Sequence, residues 1–457
     1  MNRGVMIAGT NSGSGKTTIS LGIIGALSKR LKVVPFKVGP DYIDPAYHKL
    51  VSKNPSYNLD IHMLGEERLA SLFYEKTAGR DISIVEGVMG LFDGKDSSGF
   101  ASSAHVAKIL GIPVILVVDA GGMSRSASAM VKGYKDFDPE LNLAGVIFNR
   151  VGGDKHFKLL KECIEKDTGL CALGYLPKDE KLVIPERPMG LMPPEEMENL
   201  EEGLERLNYL IEKHIDLAKI FKIAESAHIP VLPNECSKSA DTGGKKLKIA
   251  VAMDDAFCFY YNASLELFEE KGACLVPFSP LKDAELPKGI SGLYIGGGFP
   301  ENFGRQLSQN NSMKNSIFYA INAGLPTYAE GGGLMYLAKT VYDRGGKAYP
   351  MVGIFDCETV MTDRLQNFGY VTAEVVKDNV LAPFGTIING QEFHYSKING
   401  NLNNASYIIR KPEQNRKWQC GYTYKNCLAS YMHIDFYAYP KLLDNFLDKC
   451  RQINDKE

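Results

Sequence analysis

The chain has 457 residues, 44% of them hydrophobic and 23% charged, which excludes wholesale disorder and predicts two or three domains. Lys plus Arg is 52 against Asp plus Glu 54, a net charge of −2. That balance argues against nucleic acid, or a membrane surface, held by bulk charge. No apolar run approaches the roughly 18 residues of a membrane span.

The segment Met1 to Ala8 runs straight into a glycine-rich loop, so no signal peptide is expected. Nine cysteines are scattered without a CxxC pair. An odd number in this arrangement fits neither a disulfide framework nor a zinc ribbon. Reduced thiols and a cytoplasmic location are the expectation.

Short apolar runs alternate with amphipathic stretches through the first half, the pattern of βαβ units and a parallel sheet. Val5–Ala8, Val33–Phe36, Ile82–Val85, Val114–Val118 and Ala144–Phe148 read as buried strands. Leu200 to Lys222 reads as a helix with Leu204, Leu207, Leu210 and Ile211 on one face. A polar, Gly/Ser-containing run follows Pro230 and reads as a linker at 235–246. It separates domains at 1–234 and 247–457. New strands are expected at Lys248–Ala252, Cys274–Phe278, Gly292–Ile295 and Pro326–Ala329. From about Pro350, Tyr, Phe and Thr alternate, with Asn-Gly pairs at 389–390 and 399–400 read as turns between antiparallel strands.

Between the first strand and the next helix stands Gly9-Thr10-Asn11-Ser12-Gly13-Ser14-Gly15-Lys16-Thr17-Thr18. It departs from G-x4-G-K-[ST] in placing the leading Gly one residue early. The physics survives: Asn11 to Gly15 let backbone N–H groups curl round a phosphate at a helix N-terminus. Lys16 would reach the β/γ phosphates and Thr17 would ligate Mg²⁺, with Thr18 completing the cradle. A Gly/Ser turn with a solvated Lys is the bland alternative, and the strand before and helix after disfavour it.

Lys37, Asp41 and Asp44 follow the second strand, and Glu86 and Asp93 follow the next apolar strand. In open α/β sheets, ligands bind at the carboxyl ends of strands. Lys37 is thus expected as a second phosphate contact, Asp41 and Asp44 as metal or substrate contacts and Glu86 as a holder of Mg²⁺ or its water, with Lys16, Lys37, Asp41, Asp44 and Asp93 as the catalytic set. Each acid alone is more commonly a solvated turn carboxylate. Several at neighbouring strand ends beside a phosphate loop point to phosphoryl transfer.

The strings FKVGPDYIDP (36–45), Asn58-Leu59-Asp60, EGVMGLFDG (86–94) and Asp119-Ala120 resemble the cobyrinic acid a,c-diamide synthase family. That family also includes nickel-sirohydrochlorin a,c-diamide synthase. The likeness runs nearly end to end, through Asp255–Tyr261, Pro277–Pro280, Gly296–Glu301 and Met361–Arg364. It implies an α/β protein of two parts. The first is a P-loop, dethiobiotin-synthetase-like parallel-sheet domain that uses ATP and Mg²⁺, and the second is a class I glutamine-amidotransferase-like domain. The implied reaction activates acetate carboxylates of a tetrapyrrole, cobyrinate or a metal-sirohydrochlorin, as acyl phosphates that ammonia then displaces. The oligomeric state is left open, a homodimer included.

The same resemblance exposes a departure. The family writes its nucleophile turn Glu-Cys-Gly-Gly-Leu, and this chain has Glu330-Gly331-Gly332-Gly333-Leu334. Gly331 therefore stands at the nucleophile position and has no side chain to attack with. His433 matches the general base, and Asp435 is spaced as its orienting acid. Gln391 and Pro188 replace family His residues. Gly296-Gly297-Gly298 could still form an oxyanion or carboxylate nest. Cys357 and Cys258 are the other candidate nucleophiles, but neither sits on a small-residue elbow, and buried free thiols are the simpler reading.

Four functions follow from these features. The first is an ATP-dependent amide ligase fed by free or partner-supplied ammonia. The second is a glutamine-dependent synthase inactivated at Gly331, and the third acts on nickel-sirohydrochlorin. The fourth is a non-catalytic ATP- or tetrapyrrole-binding protein.

Overall fold

The computed structural model describes residues 3–179, 182, 186–187, 190–192, 194, 197, 199–228, 247–400, 402–411 and 414–454. The segment 235–246, expected as a linker, lies outside them, as do Pro188 and Met189. The chain divides into two compact units, Met1–Asn234 and Glu235–Glu457.

The first unit alternates β1 (Gly4–Gly9), α1 (Lys16–Ser28), β2 (Val33–Val38), α2 (Ile43–Ser52), β3 (Tyr57–Leu59) and α3 (Ile61–Thr77). It continues with β4 (Ile82–Gly90), α4 (Ser103–Leu110), β5 (Val114–Asp119), α5 (Arg125–Phe137), β6 (Leu143–Val151), α6 (Asp154–Thr168) and β7 (Cys171–Pro177). A short pair, β8 (Glu186–Arg187) and β9 (Gly190–Leu191), precedes the last two helices, α7 (Leu200–His214) and α8 (Leu217–Ala224). Seven strands form one parallel sheet in the order β3-β2-β4-β1-β5-β6-β7. The strands β1 and β2 are buried along their whole length, as strands covered by helices on both faces must be.

The single helix expected over Leu200–Lys222 is two. It stops at His214 because Asp216 caps the next one, its Oδ1 accepting from Lys219 N at 3.0 Å. Leu207, Leu210 and Ile211 are buried as expected, each contributing roughly 1.5–3 kcal/mol; Leu204 is half-buried.

The second unit begins β10 (Leu247–Ala252), α9 (Asn262–Glu270), β11 (Ala273–Phe278), β12 (Gly292–Ile295), α10 (Gly304–Gln309) and α11 (Asn311–Asn322). Next come β13 (Thr327–Glu330), α12 (Gly332–Leu337), β14 (Ala338–Tyr342), β15 (Ala348–Pro350), β16 (Phe355–Met361), β17 (Asn367–Val375) and β18 (Ile387–His394). The chain closes with β19 (Ser396–Asn399), β20 (Ala405–Lys411), β21 (Arg416–Tyr424), β22 (Cys427–Ser430) and α13 (Pro440–Asn454). Nine strands make one mixed sheet, β11-β10-β12-β13-β22-β21-β20-β17-β18, parallel as far as β22 and antiparallel beyond it. A four-stranded sheet, β15-β14-β16-β19, lies beside α12 in sequence.

Asn389-Gly390 is not a turn. Both residues lie inside β18, where Asn389 Oδ1 accepts from Thr372 Oγ1 at 2.9 Å. A β-carbon at Gly390 would meet His433 O at 2.3 Å. This glycine is needed for backbone approach rather than for reversal. Asn399-Gly400 does sit at the end of a strand, with Gly400 at φ 125°.

Candidate functional site

In the first unit the sheet register assembles the charged cluster. Glu86 of β4 lies between Ile7 of β1 and Lys37 of β2. Its carboxylate is fully buried and is the hub of the site. Oε1 accepts from Thr17 Oγ1 at 2.5 Å and from Lys37 Nζ at 3.0 Å, while Oε2 meets His48 Nε2 at 2.8 Å. Lys16 Nζ stands 3.9 Å from Oε1. Lys37, 2% exposed, directs its ammonium at Asp44 Oδ2 (2.5 Å), Glu86 Oε1 and the Gly87 carbonyl (3.1 Å). All three of its hydrogens therefore have protein acceptors, so the expected phosphate contact would require one of these bonds to open.

Burial works against charge on Glu86, but Lys37, His48 and Lys16 outweigh it and hold the carboxyl well below its usual range. Burial likewise opposes the Lys37 ammonium, yet Asp44 and Glu86 raise it above the ordinary lysine value. For Asp44, burial and the Asp41 charge push the carboxyl up to about 7 against the pull of Lys37. The two partners thus point in opposite directions. A 2.5 Å contact with a buried ammonium calls for an anion, so the ionised pair is favoured. Burial and the nearby Lys37 lower the Lys16 ammonium.

The loop between β1 and α1 fits a phosphate. Gly13 and Gly15 adopt φ of 80° and 89°, turning successive N–H groups toward one side at the start of α1. Ser14 Oγ is buried without a hydrogen-bond partner among the described residues. Lys16 makes no hydrogen bond there either, its 3.9 Å approach to Glu86 aside. A buried hydroxyl and an unsatisfied ammonium beside a helix N-terminus are what phosphate oxygens would complete. Thr17 gives its hydroxyl hydrogen to Glu86, which leaves its oxygen lone pairs for a hard cation such as Mg²⁺. Asp41 Oδ1 accepts from Ile43 N and Asp44 N at 2.8 and 3.1 Å.

Asp93 stands apart from this cluster. It is exposed, and its Oδ2 accepts from Gly90 N at 3.0 Å beside the start of the loop. Three residues that sequence reasoning passed over support the site. Asn149 donates to Ser14 O at 3.0 Å, and Arg150 donates to Gly13 O at 3.1 Å while pairing with Asp119. His48 is the third. The only signal for the first two was their place at the carboxyl end of the fifth apolar run.

In the second unit β13 delivers Glu330 and then turns sharply into α12 at Gly331, with φ 54° and ψ −111°. A β-carbon there would lie 2.6 Å from His433 Nε2 and 3.5 Å from Gly297 Cα. Gly331, His433 and the glycine loop are therefore brought together. Glu330 is buried and takes hydroxyl hydrogens from Tyr294 and Tyr328, each at 2.8 Å. Its Oε1 faces His433 Nδ1 at 3.8 Å.

Asp435 does not occupy the expected place. Its Oδ1 accepts from Ser264 Oγ at 2.7 Å and from Tyr437 N at 2.9 Å. Burial pushes its carboxyl up to about 6 against the pull of the Ser264 bond. The acid facing the imidazole is Glu330, one residue before the elbow. Gln391 pairs with His433 through the backbone, at 3.1 and 2.8 Å, and its side chain donates to Tyr261 at 3.1 Å. In the glycine loop, Gly296 N already donates to Tyr260 OH at 2.8 Å, which leaves Gly297 and Gly298 for a nest.

Neither alternative cysteine replaces the missing thiol. Cys357 is buried on β16, where burial and then Asp356 push its thiol up to about 12. A thiol so raised is not a nucleophile at neutral pH. Cys258 is exposed, outside any strand-to-helix elbow. Among the described residues, no helix is long and apolar enough to cross a membrane.

Comparison with known proteins finds a family for each stretch of the chain. Residues 5–189 match the CobQ/CobB/MinD/ParA nucleotide binding domain, and residues 248–440 match the CobB/CobQ-like glutamine amidotransferase domain. The chain is 53% identical over 458 residues to a cobyrinate a,c-diamide synthase of Caldanaerobacter subterraneus subsp. tengcongensis, covering 100% of both chains. It is 46% identical over 448 residues to one of Listeria innocua serovar 6a, covering 97% of this chain and 98% of the relative. Likeness at this level over the full length, together with a phosphate loop in one unit and an amidotransferase elbow in the other, places the chain in the cobyrinate a,c-diamide synthase family of ATP-dependent amide ligases.

Proposed function

We propose that this protein amidates the a- and c-acetate carboxylates of cobyrinate in the cytoplasm, with ATP and Mg²⁺, using free or partner-supplied ammonia rather than its own glutaminase. The observation that carries the choice of nitrogen source is Gly331, whose missing side chain leaves His433 Nε2 against the elbow.

Each part of the first site has a role in this reading. Gly13, Gly15, Ser14 and Lys16 hold the phosphates of ATP; Thr17, Asp41 and Glu86 hold the cation. Mg²⁺, when bound, supplies neutralisation of the charge that develops on the transferred phosphoryl group. The buried Lys37–Asp44–Glu86 cluster keeps that end of the sheet rigid and its charges fixed. A substrate carboxylate can then attack in line without a protein nucleophile, and the demand on the protein is positioning. The resulting acyl phosphate is open to ammonia.

A second reading is favoured by the retained elbow geometry and by Glu330 facing His433: an ordinary glutamine-dependent synthase that a single substitution at Gly331 has disabled. ADP formation with cobyrinate, measured with ammonium and with glutamine, tests the nitrogen source: turnover with ammonium alone supports the proposal, and equal turnover with glutamine contradicts it. Restoring the thiol with Gly331→Cys and assaying glutamine hydrolysis tests whether the rest of the glutaminase survives, as the second reading requires.

A further inference from the structure

His48 has no part in the reading above, yet it is fully buried against the hub of the nucleotide site. Carried on α2, its ring joins two partners: Nε2 meets Glu86 Oε2 at 2.8 Å and Nδ1 meets Ser56 Oγ at 3.0 Å. The other carboxylate oxygen, Oε1, is the one that Thr17 and Lys37 share. A carboxylate anchored at one oxygen still pivots about its Cγ–Cδ bond. A donor at the second oxygen fixes its plane. Since the anion needs a hydrogen from Nε2, the Ser56 contact at Nδ1 sets the ring's orientation.

We infer that His48 is a positioning residue for the cation that accompanies the nucleotide. It holds Glu86 in the orientation that takes up the Thr17 hydroxyl hydrogen and so leaves the Thr17 oxygen for the metal. The arrangement parallels other outer-shell partners that orient metal-site groups, whose loss typically weakens metal binding by about 10–100-fold. The inference rests on the nucleotide reading of the first site and is independent of the nitrogen source.

The test is ADP binding to the full-length chain by titration calorimetry, with and without Mg²⁺, in the absence of tetrapyrrole and nitrogen donor. His48→Leu removes the donor. His48→Gln places an amide N–H at the reach of the imidazole Nε2, whereas His48→Asn places one at the reach of Nδ1 and falls short of Glu86. The expected result is a loss of about tenfold or more in Mg²⁺-dependent affinity for His48→Leu and His48→Asn. Metal-free ADP binding should stay within about twofold, and His48→Gln should recover most of the loss. Thermal melting of each variant identifies any that fail to fold, and the comparison of folded His48→Gln with wild type stands in every case. If His48→Gln binds as weakly as His48→Leu, or if the losses are equal with and without Mg²⁺, the inference is overturned. A wild-type chain whose ADP affinity ignores Mg²⁺ has a different signature: it overturns the metal reading of the site, and this inference with it.

Discussion

His433 Nε2 occupies space 2.6 Å from where a β-carbon of residue 331 would stand, so the imidazole and a side chain at Gly331 compete for one position. The backbone at Gly331, φ 54° and ψ −111°, lies in the left-handed region that favours glycine. Gly331→Ala should therefore destabilise the second unit by about 1–3 kcal/mol. Its single tryptophan, Trp418, provides the fluorescence signal. Gly331→Cys carries the same strain but adds a thiol beside an imidazole already facing Glu330. Only the tip of the ring has to give. Glutamine hydrolysis is expected to appear in this variant; its absence from a folded Gly331→Cys protein would show that the elbow is no longer a glutaminase site.

Glu86 balances the buried charge of Lys37 and positions Thr17. Replacing it with Gln leaves the Lys37 ammonium short of one anion. Glu86→Gln should cost roughly 3–5 kcal/mol of first-unit stability and lower ATP-dependent turnover by at least about a hundredfold. Calorimetric melting and ADP release measure the two effects. A variant with unchanged melting would mean that Asp44 alone suffices to balance Lys37.

Glu301 follows the glycine loop, and its Oε2 is buried without a hydrogen-bond partner among the described residues. Burial pushes its carboxyl up to about 7, with the Arg344 charge opposing. A raised folded value means that the native protein keeps a proton the unfolded chain has lost. The associated stability is present below the ordinary value of 4.5 and is lost as pH rises through about 7. Unfolding free energies from urea titrations read at Trp418 should therefore fall between pH 5 and 8, by on the order of 2 kcal/mol for this group. Glu301→Gln should flatten most of that slope, leaving the smaller part due to Asp435 and Asp254, which burial raises in the same direction. An unchanged slope in the variant would assign the effect elsewhere.

Much of this was legible in the sequence because it is set by strand ends. Apolar runs located β1, β2, β4, β5 and β6; the loop lies just beyond β1 and Lys37 at the end of β2, but Glu86, expected at a strand end, sits in the middle of β4, which runs on to Gly90. What strand position could not convey is which charges face one another. The pairing of Lys37 with Asp44, and of His48 with Glu86, depends on α2 folding back on the sheet. The ties from Asn149 and Arg150 to the loop are equally non-local. Local patterns also misled. Asn389-Gly390 has turn chemistry but sits in β18 because His433 backbone needs the room. Asp435 has the spacing of an orienting acid, yet Ser264 and Tyr437 take its carboxylate and Glu330 faces the imidazole. Gly331 was plain from sequence alone; the position of His433 against it was not.

The nitrogen source is tested most directly by isotope competition. Cobyrinate, ATP and Mg²⁺ would be incubated with the full-length protein, ¹⁵N-ammonium and an excess of unlabelled glutamine, and the amidated product weighed by mass spectrometry. With Gly331 at the elbow, both new amides should carry ¹⁵N and no glutamate should form. Unlabelled amides, accompanied by stoichiometric glutamate, would contradict the account.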